Sequence, residues 1–319
     1  MKNIKLNKLA LDIVYALTLG ITAFLAVKLF TQAVNDDGDK AYQSEMKQNY
    51  NNYNPILPEK LDFCGERVPL EYFDVREAME KELLKTMYWH SETFLYLKRM
   101  NRYFPRMRQI LKQNGVPEDF LYLCVAESGM DHVVSYAKAV GFWQILETTG
   151  KENGLEINDE VDERYNIEKA TQAACRYFKQ AYEKYGSWTL TAASYNAGQG
   201  AVSRFIRQQE VSDYYDMHMA KETMRYVYRI LAYKLLLTCP EDYGFCFREK
   251  DLYPIIKTDT LIVDTAITDL RAFAREYSQN YKLFKMFNPW LRDSKLTNKN
   301  GKEYKIVVPA KNSRKIKEK

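Results

Sequence analysis

Helical periodicity dominates the middle of this chain. From Val116 to about Leu237 the sequence is a series of helical segments divided by Gly, Pro and Asn, with almost no strand-like alternation of apolar and polar residues. A helical pattern also runs from Asp74 to Gln113, and Pro105 is expected to interrupt it. Hydrophobic residues make up 46% of the chain, which is enough for a packed core. The pattern therefore predicts a mainly α-helical body.

The C-terminal part has a different pattern, which begins at about Thr258. In chain order it predicts a strand, two helices and a closing strand over Thr260–Val263, Ile267–Tyr277, Tyr281–Phe287 and Tyr304–Val308. These elements predict a small α/β module. We therefore divide this part of the chain into a helical body over residues 74–248 and an α/β module with a basic tail over residues 249–319.

The N-terminal segment has the composition of an export signal. Lysines at positions 2, 5 and 8 precede an apolar run from about Ile13 to Val27, and a basic start followed by roughly 15 apolar residues is typical of such signals. Counted over Leu9–Phe30, the run can also serve as an uncleaved anchor. We predict a signal peptide or membrane anchor over residues 1–33, and a linker or N-terminal extension over the more polar residues 34–73.

Composition narrows the classes of partner and cofactor. The net charge of +5 suits an anionic polymer such as cell wall, nucleic acid or lipid headgroups, but no basic–aromatic nucleic-acid motif is present. With three histidines and no paired cysteine–histidine spacing, we expect no metal site, and the chemistry below requires no organic cofactor. Of five cysteines, Cys124 and Cys175 are predicted to be buried thiols, whereas Cys239 and Cys246, or Cys64 with either, can pair in an oxidising compartment.

One short helix is predicted to end with a carboxylic acid. In the segment PEDFLYLCVAESG, Pro117 suits a first helical position and Gly129 a helix stop, so Glu127 lies in the last turn. The helix dipole there disfavours a carboxylate, and the apolar neighbours of Glu127 exclude water from it. Both effects raise its pKa, and a carboxyl group that stays protonated near neutral pH can protonate a glycosidic oxygen.

Three further motifs follow this acid in the chain. They are Gly141-Phe142-Trp143-Gln144, Ala193-Ser194-Tyr195-Asn196-Ala197-Gly198 and Glu222-Thr223-Met224-Arg225-Tyr226-Val227. Together with Glu127-Ser128-Gly129 they resemble the catalytic domain of the soluble-lytic-transglycosylase type, above all the membrane-bound lytic murein transglycosylase D group. The resemblance covers about Phe104 to Leu237 and implies a lysozyme-like helical fold.

The resemblance also implies a role for each matching residue. Glu127 would be the lone catalytic acid/base, with Tyr195 beside it and Asn196 supporting the site. Ser135 would lie near the N-acetyl group of the sugar, and Glu222 and Tyr226 farther out along the cleft. The loop before Gly141 is one residue shorter than is usual in this family. The substrate-binding residues implied in this way are Ser128, Ser135, Gly141, Gln144, Tyr195, Asn196, Glu222 and Tyr226.

The implied reaction cleaves the MurNAc-β-1,4-GlcNAc bond of peptidoglycan and leaves 1,6-anhydro-MurNAc ends. Ordinary glycosidases use two carboxylates, whereas the motifs supply one, because the muramyl 6-hydroxyl would attack within the substrate. Two alternatives remain open: a hydrolytic muramidase of goose-lysozyme type and a catalytically inactive peptidoglycan-binding scaffold.

The remaining expectations concern partners and location. The segment from about Tyr253 to Ala310 resembles a diverged LysM module, which implies wall binding, with a packing appendage as the alternative. The expected partners are peptidoglycan glycan strands, and also the membrane if the N-terminal segment is retained, but not nucleic acid. The protein is expected to be exported, and to be periplasmic or membrane-anchored facing the cell wall.

Overall fold

The computed structural model describes residues 53–277 and 280–315, together with Tyr15, residues 17–22, Phe24, residues 40–42 and Ser44. Most of the predicted signal peptide or anchor over residues 1–33 therefore lies outside the described residues, as does the end of the basic tail after residue 315. No helix in the described part of the chain has the length and hydropathy needed to cross a membrane. The described residues from Pro55 onward form one compact unit.

The compact unit begins earlier than the sequence predicts. Leu57, Phe63 and Leu70 are buried, and a small hairpin pairs β1 (Asp62–Phe63) with β2 (Glu66–Arg67). Of the two alternatives predicted for residues 34–73, a linker is therefore wrong for residues 55–73, which pack on the body as an N-terminal extension. The buried side chains there are spaced too irregularly to show a helical or strand period, and contacts with distant parts of the body bury them.

Eight helices build the body. Their bounds are α1 Phe73–Met87, α2 His90–Gln113, α3 Phe120–Ser128, α4 Glu147–Glu152, α5 Ile167–Tyr185, α6 Trp188–Ala197, α7 Gln199–Gln209 and α8 Lys221–Thr238. Short 3-10 turns at Glu163–Tyr165, Tyr214–Asp216, Pro240–Tyr243 and Glu249–Asp251 connect or follow them. The mainly helical architecture that the sequence predicts is confirmed.

The predicted interruption at Pro105 is wrong, because α2 continues through it. Proline removes one backbone hydrogen bond from a helix, but Phe104 and Met107 beside it are buried in the core, and this packing holds the helix together. The break falls instead between α1 and α2, at Tyr88 and Trp89.

Helix α8 lies at the centre of the body. It packs against α1, α3 and α6, and it buries side chains around most of its circumference, as a central helix must. Arg225 of α8 donates to the buried Glu82 of α1 at 2.6 and 3.0 Å, which fixes the two helices in register. Because α3 and α6 pack against the same helix, their C-terminal ends are held close to it.

The C-terminal module follows the predicted order of elements. Strands β3 (Thr258–Val263) and β4 (Tyr304–Pro309) pair antiparallel, from Thr258 opposite Pro309 to Val263 opposite Tyr304. Helices α9 (Leu270–Tyr277) and α10 (Tyr281–Phe287) lie between them in the chain. The module has its own hydrophobic core, which includes Val161 from the body. The predicted strand–helix–helix–strand order is confirmed.

Cys64, Cys124, Cys175 and Cys239 are free thiols in the structure. Cys124 and Cys175 are buried, as the helical pattern predicts. Cys239 and Cys246 are exposed and are not joined to each other or to Cys64.

Candidate active site

Glu127 lies in the last turn of α3, where the sequence places it. The helix ends because Gly129 adopts a left-handed conformation, with φ of 59°, and its N–H bonds to the carbonyl of Val125 at 2.8 Å. A Cβ at position 129 would also collide with the ring of Tyr96, so glycine is required there for two reasons. The helix stop therefore fixes where the Glu127 carboxyl group leaves the helix.

The surroundings of Glu127 favour its protonated form. Burial raises the pKa of its carboxyl group to about 7, from an ordinary value of 4.5. The hydrogen bond from Tyr226 and the positive charge of Arg229 lower this pKa, while the negative charge of Glu222 raises it, and burial outweighs all three. Glu127 is consequently able both to donate and to accept a proton near neutral pH.

Tyr226 is the residue that contacts the acid directly. Its hydroxyl group donates a hydrogen bond to Oε1 of Glu127, and its ring is fully buried. The prediction that Tyr226 lies farther out along the cleft is wrong. The reason is that Tyr226 occupies the inner face of α8 beside the buried Val227 and Ile230, and this face packs on α3.

Tyr195 donates its hydrogen bond to the segment around Trp143 and not to Glu127. Its hydroxyl group donates to the carbonyl oxygen of Trp143 at 2.6 Å, and its ring packs edge-on against Tyr177, with centroids 5.2 Å apart. Burial, together with the nearby charge of Glu127, raises the pKa of Tyr195 well above its ordinary value. Tyr195 therefore lies close to the acid, as expected, and also anchors residue 143.

The segment around Gly141 forms the next part of the site. Gly141 has φ of 79°, and a Cβ there would collide with the carbonyl oxygen of Arg164. The amide of Gln144 donates to the carbonyl oxygens of Gly141 and Val133 at 2.8 and 3.0 Å. Ser128 donates to the carbonyl of Phe142 at 2.7 Å. Ser128, Gly141 and Gln144 are thus joined into one structure directly beside the end of α3.

The other candidate residues lie at the edges of this structure. Ser135 is half-buried, and its hydroxyl accepts from the backbone N–H of Ala139 at 3.0 Å, which closes a turn. Asn196 accepts from the hydroxyl of Thr223 at 3.0 Å and so links α6 to α8. Glu222 is exposed and lies 3.5 Å from Arg229. The structure therefore places Tyr226 in direct contact with Glu127, and Tyr195 and Glu222 within electrostatic reach of it, while Ser128 next to the acid is tied to the segment of Gly141 and Gln144.

Two arginines near the acid are not part of the quoted motifs. The guanidinium carbon of Arg229 lies 5.4 Å from the ring centroid of Tyr226, and Arg229 follows Tyr226 by three positions, on the same helix face. Arg99 donates to the carbonyl of Gly129 at 2.9 Å and to Asp131 at 2.7 Å. Asp131, the carboxylate nearest to Glu127 in sequence, is therefore engaged by a cation.

Two protein families match this chain, one within the helical body and one within the α/β module. Residues 106–217 match the family model of the transglycosylase SLT domain, and residues 259–312 match that of the soluble lytic transglycosylase C-terminal LysM-like domain. The membrane-bound lytic murein transglycosylase D proteins of Escherichia coli K12 and of Escherichia coli O6:H1 are each 29% identical to this chain over 191 residues. These alignments cover 57% of this chain and 41% of each relative, so the chain spans less than half the length of these relatives.

A solved structure also matches part of this chain. An X-ray structure of an inactive mutant of lytic transglycosylase Slt from Pseudomonas aeruginosa matches with a TM-score of 0.35 and 18% identity, over 47% of this chain and 26% of that chain. The two family matches have the same order along the chain as the helical body and the α/β module. The chain is therefore similar to a transglycosylase SLT domain over residues 106–217 and to the C-terminal LysM-like domain of soluble lytic transglycosylases over residues 259–312.

Proposed function

We propose that this protein is a peptidoglycan lytic transglycosylase that uses Glu127 as its lone acid/base. The proposal depends on one observation above the others. Glu127 is a buried carboxyl group with a pKa of about 7, and its direct partner is the neutral hydroxyl group of Tyr226. Asp131, the carboxylate nearest to Glu127 in sequence, is paired with Arg99. The SLT domain match and the lytic transglycosylases among the relatives support the same reaction class.

In the first step, protonated Glu127 gives its proton to the oxygen between MurNAc and GlcNAc as the bond to the muramyl anomeric carbon breaks. The acetamido group of the substrate stabilises the positive charge that forms on this carbon. Glu127 becomes a carboxylate, and the hydrogen bond from Tyr226 stabilises that charge inside the buried site.

In the second step, the carboxylate of Glu127 takes the proton of the muramyl 6-hydroxyl group, and the oxygen of that hydroxyl group attacks the muramyl anomeric carbon. The product is a 1,6-anhydro-MurNAc end, no water is consumed, and Glu127 is protonated again for the next cycle. Because donor and acceptor are the same group, its pKa must be near the working pH, and a value of about 7 satisfies this requirement.

Mass spectrometry of muropeptides released from purified sacculi tests the reaction. Anhydro ends are lighter than hydrolysed ends by one water, so we expect the lighter product to predominate. Reducing ends as the main product would instead establish a muramidase of goose-lysozyme type. Sacculus binding without release of soluble fragments would establish a scaffold.

We further propose that the protein is exported and works on glycan strands from the periplasm or from a membrane anchor. The basic and apolar N-terminal residues support this location. N-terminal sequencing of the mature protein distinguishes the two forms. A new N-terminus near residue 33 indicates a cleaved signal peptide, and an intact start indicates a retained anchor.

A further inference from the structure

We propose that the C-terminal module is a positioning part of the active site, which acts through Asp162 and Arg164 on the segment from Lys138 to Ile145. This inference rests on the proposed function, because that segment contains Gly141 and Gln144 of the candidate site. It assigns the module a role within the catalytic cleft in addition to any binding of the wall.

The module is attached to the body by a short stretch of chain before α5. Val161 is buried in the module's hydrophobic core and pairs with Leu291. On either side of it, the N–H of Asp162 donates to the carbonyl of Trp290, and the N–H of Arg292 donates to the carbonyl of Glu160, each at 2.8 Å. Residues 160–162 are thus bound in the manner of an added strand.

Side chains reinforce this attachment. The carboxylate of Glu160 accepts hydrogen bonds from the backbone N–H and the hydroxyl of Thr297. The guanidinium of Arg292 lies over the ring of Tyr165, 4.1 Å from its centroid. The hydroxyl group of Tyr304, which is the first residue of β4, donates to the carboxylate of Glu156 at 3.0 Å. The module therefore contacts the stretch from Glu156 to Tyr165 at several points, and its position constrains that stretch.

Arg164 transmits this constraint to the cleft. Its guanidinium binds both carboxylate oxygens of Asp162, at 2.9 and 2.7 Å, and both side chains are 9% exposed. A further nitrogen of the same guanidinium donates to the carbonyls of Lys138 and Ile145, each at 3.3 Å. Arg164 therefore joins the two ends of the cleft segment to a residue that the module holds.

The backbone reinforces the same link. The carbonyl oxygen of Arg164 lies so close to Gly141 that a Cβ at position 141 would collide with it. Within the segment, Val140 and Ile145 exchange two backbone hydrogen bonds of 3.1 Å, so the segment moves as one piece. A shift of the stretch that holds Arg164 would therefore displace Gly141 and the neighbouring Gln144.

Arg164→Lys is the test variant. Lysine keeps the charge opposite Asp162 but lacks the planar fork that reaches both carbonyls. We expect hydrogen–deuterium exchange of the peptide covering residues 133–146 to accelerate roughly tenfold, since two hydrogen bonds are lost. On a soluble peptidoglycan tetrasaccharide we expect kcat to fall about tenfold, with a melting temperature close to that of the parent. Arg106→Lys is the matched control, because Arg106 forms an exposed pair with Glu168.

Glu160→Ala tests the link from the side of the module, and it replaces the first variant if that one does not fold. Loss of the Thr297 contacts should accelerate exchange over residues 133–146 and lower kcat on the same soluble substrate. Effects of the two substitutions on kcat should be less than additive, because both act on one chain of contacts.

Two outcomes would overturn the inference. One is exchange over residues 133–146 at the parent rate in both variants, together with kcat on the tetrasaccharide within a factor of about two. The other is a Glu160→Ala variant that loses only sacculus binding, which would make the module purely a wall-binding unit. Exchange does not require turnover, so a parent protein that releases no anhydro ends would refute the proposed function while this test of the link remained valid.

Discussion

Two groups of partly buried glutamates in this protein have opposite electrostatic environments. In the cleft, burial raises the pKa of Glu127 to about 7 and outweighs the hydrogen bond from Tyr226 and the charge of Arg229, which lower it. At the junction with the module, burial also acts to raise the pKa of Glu156, but the hydrogen bond and charge of Lys302, together with hydrogen bonds from Tyr304 and Asn158, outweigh it, and the pKa is lowered. Hydrogen bonds from Thr297 lower the pKa of Glu160 as well.

The comparison shows that this fold uses one carboxyl group for proton transfer and others to attach the module to the body. The junction carboxylates stay charged at neutral pH because cations and donors surround them, and they hold two parts of the chain together. Glu127 has fewer such partners and keeps its proton, so it is available for transfer. The same residue type serves two purposes, and the choice depends on which helices and strands surround the carboxyl group.

The largest expected effect is the loss of turnover in Glu127→Gln. An amide cannot donate and recover a proton at this position, so release of muropeptides from sacculi should fall by about 10³-fold or more. Glu118→Gln is the matched control, since Glu118 forms an exposed pair with Arg108. Turnover of Glu127→Gln within tenfold of the parent would transfer the role of acid to another residue.

The same substitution should stabilise the fold at high pH. The pKa of Glu127 in the folded state, about 7, lies above its ordinary value of 4.5, so the folded state binds the proton more tightly. The penalty for burying the charged form is absent below pH 4.5, grows up to pH 7 and is complete above it. We expect Glu127→Gln to exceed the parent by about 3 kcal/mol at pH 8 and to equal it at pH 4, measured by urea denaturation.

The sequence alone predicts the position of the acid. It does not distinguish the loss of turnover in Glu127→Gln from its gain in stability. The glycine that ends α3 and the apolar residues before it fix Glu127 in the last turn, and the structure agrees. Tyr226 was misplaced because its contact with Glu127 depends on how α8 packs on α3, and the two residues are 99 positions apart. Arg164 was missed for another reason, since its pairing with Asp162 does not reveal the distant backbone carbonyls that it also binds.

A smaller effect is expected from Tyr226→Phe. The hydrogen bond from Tyr226 stabilises the charged form of Glu127 and lowers its pKa, so its loss raises that pKa. The alkaline limb of kcat/KM against pH should move to higher pH, and kcat should fall about tenfold because the carboxylate formed in the first step loses its donor. Tyr214→Phe is the matched control, since Tyr214 is buried and donates to backbone carbonyls of α8. An unchanged pH profile in Tyr226→Phe would show that this hydrogen bond does not tune the acid.

The smallest effect is expected at the junction, with the opposite dependence on pH. Lys302→Met removes the cation that holds the pKa of Glu156 below 4.5. Because Lys302 is 42% exposed, we expect a loss of only about 1 kcal/mol in the free energy of unfolding. The loss should be present above pH 4.5 and should disappear as pH falls through the lowered pKa of Glu156. Lys151→Met, in an exposed pair with Glu147, is the control, and an equal loss in both variants would remove the distinction between junction and surface.

The parts of the fold that the sequence predicted well are those with a regular period. The strand–helix–helix–strand order of the module follows from the apolar–polar alternation of its strands and the helical period between them. The ends of α10 were predicted to the residue. Residues 55–73 were misassigned because the hairpin and the buried leucines before it have no such period and are ordered by contacts with α3 and α8, such as the 2.6 Å bond from the N–H of Cys64 to Asp119. The prediction at Pro105 is wrong for the converse reason, because packing overrides the strong local tendency of proline to interrupt a helix.

The most direct test is to titrate the side-chain carboxyl groups by NMR in protein labelled with ¹³C-glutamate, and to compare the parent with Glu127→Gln. We expect one glutamate signal in the parent with a midpoint near pH 7, and we expect that signal to be missing from the variant. The cleft then contains a carboxyl group that is protonated at the pH where a leaving oxygen needs a proton. A parent spectrum in which every glutamate titrates below about pH 5 would contradict the account, because Glu127 would then be a carboxylate before the reaction begins.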